Sequence, residues 1–302
     1  VALSYRRVDG GGVSMFEAKS MFPLSILTPI VGHPFEPHEG SWWMIEPPIT
    51  IGVILACALY LYAVGPLRRR FGWAERVERQ QVIMFFLAML IVFGSLQGPL
   101  HELSDYYSFS AHMVQHLLVT LIMPPLLLKG IPEWLINPVL RARFVLPIAR
   151  FVTGPFIAFA LFNIIFSLWH VPAFYQRALG DPAVHSLEHI LFMGTGILTW
   201  WPIFSPTSLL PRLSEPWQMF YLFAQSLIPT VLGALITFAD FVMYPFYAAA
   251  PRIIALPPLE DQQIAGLIMW LGGAAIVLFV LTIRFFRWME RDADETLEVS
   301  RV

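Results

Sequence analysis

The chain has 302 residues, 57% hydrophobic and 13% charged, where an average soluble domain carries about a quarter charged residues. That balance excludes an ordinary soluble domain, and a formal net charge of −2 offers no basic surface for nucleic acid. A single cysteine, Cys57, excludes an internal disulfide framework and any multi-cysteine zinc or iron–sulfur cluster.

Residues 1–20 have no long apolar core after their basic residues and read as a flexible lead-in rather than a signal peptide. Residues 21–48 carry prolines at 23, 29, 34 and 37, so no helix is expected there. Trp42 and Trp43 suit the headgroup boundary, and residues 1–46 are expected as an extended external segment. A spanning helix needs about 20 largely apolar residues. Seven stretches free of Asp, Glu, Lys and Arg fit: 47–67, 80–100, 106–128, 151–176, 189–211, 216–239 and 262–283. In the first, Cys57 reads as an inert packing residue. In the third, Pro124-Pro125 is expected to bend or end the helix. No stretch alternates apolar and polar residues as a transmembrane barrel does.

Loop charge gives a direction. Arg68, Arg69, Arg70, Arg76, Arg79, Lys129, Arg141, Arg143, Arg150, Arg212, Arg284, Arg287, Arg291 and Arg301 fall on one side. Only Arg6, Arg7, Lys19, Arg177 and Arg252 fall on the other. Basic loops stay in the cytoplasm. The expectation is an all-α polytopic protein: seven transmembrane helices in a domain 47–285, N-terminus outside, C-terminus inside, and a cytoplasmic tail 286–302.

On that topology all eight histidines fall on the outer side. His33 and His38 precede the first span and read as solvated. His101 opens the loop after the second span, where a loop hydrogen bond and an outer ligand are both open readings. His112 and His116 lie in the outer half of the third span, His170 closes the fourth, and His185 and His189 open the fifth. His112 and His116 are four apart and share a helix face; His185 and His189 repeat the spacing, and Met193 extends it one turn. Imidazole suits copper, zinc and iron, and a thioether favours Cu(I). Polar side chains inside a bilayer are costly and face a bundle interior or watery cavity. The pairs therefore read as a metal site, against the blander reading of interhelical hydrogen bonds, with Met193 as a gap-filler. Glu188 could orient an imidazole, Asn163 could support His170 or bond a neighbouring helix, and Asp261 reads as the N-cap of the last span. Asp240 and Glu260 add acidity on the same side. No nucleophile–base pair or phosphate loop is evident, so no enzyme is expected.

The segments "SAHMVQHLLVTLIMPPLLLKGIP", "LWHVPAFYQRAL", "VHSLEHILFMGTGILTWWPI" and "EDQQIAGLIMW" resemble the multi-span CtaG-type cytochrome c oxidase assembly proteins over roughly residues 45–285. The resemblance implies a bacterial inner-membrane protein that assembles a haem-copper oxidase by delivering or inserting copper. The oxidase subunits would be its partners and membrane lipid its surroundings. His112, His116, His170, His185 and His189 fall within the matching motifs; His33 and His38 do not. A cysteine-ligated single-span copper chaperone shares the family's name, and this chain is not of that type. Two further readings stand beside this one: a b-type cytochrome with axial imidazoles on haem, and a permanent accessory subunit of an oxidase complex. A copper permease would need polar residues across the inner leaflet.

Overall fold

The computed structural model describes residues 45–253 and 255–299, and every regular element among them is helical. The N-terminal segment, with His33, His38, Trp42 and Trp43, lies outside the described residues.

Helix α1, Pro47–Phe71, starts on two prolines in its first turn, where a missing N–H costs least. It stops at Gly72, whose φ of 61° is the left-handed cap glycine allows. Helix α2, Arg79–Leu96, returns and ends at Gln97. A short helix α3, Gly98–Tyr106, follows and carries His101. Helix α4 runs from Phe109 to Gly130 as one span. Pro124-Pro125 neither ends nor breaks it. A wide π-type turn over Leu118–Ile122 precedes the prolines and takes up the lost hydrogen bonds and ring bulk.

After α5, Glu133–Leu140, the expected fourth span is two helices, α6 (Val145–Val152) and α7 (Pro155–Trp169), bent by 67° at Thr153-Gly154. Helix α8, Pro172–Gly180, leads into α9, Pro182–Phe204, which begins seven residues before the expected stretch and ends seven before it. Helix α10, Glu215–Thr237, and a short α11, Pro245–Ala249, precede the long α12, which starts at Pro258, passes a π-type turn at Ile268–Gly272 and ends at Val299. The helix continues unbroken past residue 285 to Val299, so most of the expected tail is helical.

Five of these helices, α1, α2, α4, α10 and α12, are long and apolar enough to cross a membrane, and six count if α6–α7 is one span. Helix α9 has the length, with His185, Glu188 and His189 in its first turns.

The packing is apolar outside and polar inside. Phe156, Phe238, Phe279 and Ile54 face outward, while His112, Gln115, Glu188, Asn163 and Gln225 are buried. This is the distribution a lipid solvent selects. Asn163 donates to Gln225 Oε1 across α7 and α10 at 3.1 Å, so it bonds a neighbouring helix rather than His170. Cys57 packs, as expected, against the Tyr60–Phe85 cluster. Helices α10 and α12 meet at Gly233 and Gly266, where a Cβ on Gly266 would stand 2.6 Å from Thr237 N. Small residues let membrane helices approach this closely.

The two ends of the bundle differ in chemistry. At one end Lys129 and Arg284 both stack on the Phe204 ring, at 4.6 and 4.7 Å. Nearby, the Glu133 carboxylate accepts from Ser208 N and Oγ. All the histidines among the described residues gather at the other end.

Candidate metal centre

Four helices build this end. Helix α4 contributes His112, Gln115 and His116; α9 contributes His185, Glu188, His189 and Met193; His170 caps α7; α3 brings His101 and Asp105. The four-residue spacing works as expected. On α4 the ring centroids of His112 and His116 are 4.1 Å apart, and on α9 those of His185 and His189 are 4.5 Å apart. The pairs face each other, with His112 6.0 Å from His185 and His116 6.0 Å from His189. His101 stands 6.4 Å from both His185 and His189, and His170 stands 6.2 Å from His116.

Asp261 fixes the start of α4. It is buried inside α12, whose own cap position is Pro257. Its carboxylate accepts from Phe109 N at 2.8 Å, Ser110 N at 3.2 Å and Ser108 Oγ at 3.0 Å. Asp261 therefore caps a helix, but not its own: it serves the one that carries His112 and His116, three residues further on. An aromatic layer supports the other side. Tyr175 OH donates to Tyr247 OH, Tyr247 OH donates to the Ser104 carbonyl, and Tyr244 OH donates to the His170 carbonyl.

Two carboxylates complete the cluster. Asp105 turns Oδ1 to His101 Nδ1 at 3.4 Å and Oδ2 to His185 Nδ1 at 3.5 Å. Glu188 is fully buried, with Oε1 3.9 Å from His116 Nε2. Its role is thus with His116 across the bundle, not with the adjoining His189. Asp105 escaped the sequence reading, although its position four after His101 repeats the spacing of the histidine pairs. It lies in α3, between spans, where burial pushes its carboxyl up to about 6. Burial also holds the His101 imidazole below its usual range, opposed by the neighbouring Asp105.

The donor atoms are poised rather than consumed. His170 Nδ1 donates to the Phe166 carbonyl at 2.6 Å, which leaves the lone pair on Nε2. Neither ring nitrogen of His112, His116 or His189 has a hydrogen-bond partner among the described residues, and neither does either Glu188 oxygen. A buried polar group left this way costs about 1–3 kcal/mol, and a bound ion is one partner that would relieve that cost. Two sets have their donor atoms within 4.8 Å of one another: Asp105, His185 and His189, and His112, His116 and Glu188. Ligands bonded to one ion at about 2.0–2.1 Å stand up to about 4.2 Å apart, so small rotations would close either set. Met193 lines a cavity of about 560 Å³ together with His101, Asp105, His185 and His189. Asp240 and Glu260 are exposed and stand apart from the donor sets.

No curated protein and no solved structure matches the chain. A family model described as cytochrome c oxidase caa3 assembly factor matches residues 58–291, which takes in every helix that builds the histidine cluster. The chain therefore belongs to the caa3-type cytochrome c oxidase assembly factor family.

Proposed function

We propose that this chain binds copper at its histidine cluster and hands it to the oxidase that its family assembles. The observation that carries the reading is the convergence of six imidazoles on one end of the bundle, five of them buried and three, on His112, His116 and His189, with neither ring nitrogen hydrogen-bonded among the described residues. Neutral imidazole is a ligand for copper, and the Met193 thioether in the adjoining cavity favours Cu(I). On this reading the histidine end faces the periplasm from a bacterial inner membrane, in a seven-span arrangement with the N-terminus outside and the C-terminus inside, and the charge asymmetry of the loops supports that direction. Copper is cargo here, released by ligand exchange to an oxidase subunit docked alongside, with no catalytic turnover.

Metal analysis of the purified protein, before and after treatment with a Cu(I) chelator, tests this. Copper that copurifies and is removed by the chelator supports the reading. A protein that takes up no copper, or whose dithionite-reduced spectrum shows haem b, overturns it.

A further inference from the structure

The donor atoms divide into two groups with different access. Asp105, His185 and His189 line the 560 Å³ cavity, with His101 and Met193 beside them. His112, His116 and Glu188 do not line it, and they are 0%, 3% and 0% exposed. The groups are neighbours: the His112 ring is 6.0 Å from His185 and 6.3 Å from His189. The Phe192 ring lies 4.5 Å from His116 and closes the inner group on its far side.

From this division we infer that the cluster is two metal positions in series, an outer one open to the cavity and an inner one sealed behind it. The inference rests on the copper reading and adds number and order to it. Each position has two imidazoles and one carboxylate, a borderline set that holds first-row ions at an affinity that geometry and access tune. Neither ring nitrogen of His189 is engaged by a hydrogen bond, and its ring stands 6.0 Å from His116. It is the residue placed to keep hold of an ion while the other ligands change. Passage from one position to the other breaks bonds to Asp105 and His185 and forms bonds to His112, His116 and Glu188. No oxidation state changes, and no co-reactant is needed. The inner position stores; the outer position exchanges with the partner.

The test uses the full chain in detergent or nanodiscs, loaded anaerobically with Cu(I), desalted, and assayed for copper per chain. The wild type should hold two ions, and D105N/H185A and H116A/E188Q one each. A soluble Cu(I) chelator should strip the wild type in two phases. H116A/E188Q should keep only the fast phase and D105N/H185A only the slow one. Because E188Q is isosteric, it carries the inner-site test alone if the double variant is not monodisperse. One ion in the wild type, a single phase, or a folded variant that loses all copper overturns the two-position arrangement and leaves the copper reading standing. A wild type that binds none overturns both.

Discussion

His116 and Glu188 sit on different helices, fully enclosed, with Nε2 and Oε1 3.9 Å apart and no hydrogen bond between them or to any other described group. That gap is too long for a hydrogen bond and short enough for one ion to bridge. The first prediction concerns this helix face. Replacing His112 and His116 together with Ala should remove the slowly exchanging inner ion and leave only the outer one, while the protein still inserts and runs as a monodisperse species. The partner oxidase should then keep its haem and carry less copper, which metal analysis and a reduced spectrum of the oxidase measure. Full copper in both proteins would reassign the pair to interhelical contacts.

Asp261 should act on the site from a distance. Asp261→Ala removes the acceptor for Phe109 N and Ser110 N at the start of α4. A lost cap of this kind costs about 1–2 kcal/mol. A lower thermal midpoint in detergent, together with weaker Cu(I) binding in a competition titration, is the expected outcome. Unchanged values for both would show that α4 holds its register without the carboxylate.

The α10–α12 crossing sets a sharper structural contrast. Gly266→Ala would put a Cβ 2.6 Å from Thr237 N and 2.8 Å from the Gly233 carbonyl, all backbone that cannot yield. A loss of about 1–3 kcal/mol or failure to accumulate should follow, as in other overpacked cores. Gly194→Ala, where nothing lies within 4 Å, is the control and should be silent. Fluorescence-detected size exclusion of the two variants compares them directly.

Orientation can be tested with two cysteines in a Cys57→Ala background. Arg70→Cys and Arg177→Cys occupy exposed positions at the two ends of the bundle. An impermeant thiol reagent on intact cells should label position 177 and reach position 70 only after permeabilisation. The opposite pattern would turn the protein over and place the histidine cluster on the cytoplasmic side.

Much of this architecture was legible in charge-free runs and four-residue spacings. The stretches near 47, 80, 216 and 262 coincide with α1, α2, α10 and α12, and each histidine pair shares one face of its helix as its spacing requires. The failures have physical causes. Helix α9 starts seven residues before its charge-free run because Glu188, a carboxylate buried within the bundle, interrupts that run. Pro124-Pro125 suggested a break because local rules do not foresee a π-turn that absorbs two prolines. Asp261 has a capping residue's chemistry, but its client helix lies some 150 residues earlier, a pairing only tertiary structure reveals. Asp105 sits in a nine-residue helix between spans, outside every segment that apolar runs pick out.

The latch from Asp261 to the start of α4 also bears on how the protein is made. A polytopic chain leaves the ribosome from its N-terminus and enters the bilayer helix by helix. Helix α4 is made well before α12, and Ser108 alone caps its first turn until α12 arrives with the Asp261 carboxylate. The nascent chain therefore has its imidazoles in the membrane before it has the geometry that holds them. The histidine cluster thus reaches its final geometry last in biogenesis, so a truncated or stalled chain would carry every imidazole without the full set of contacts that orders them.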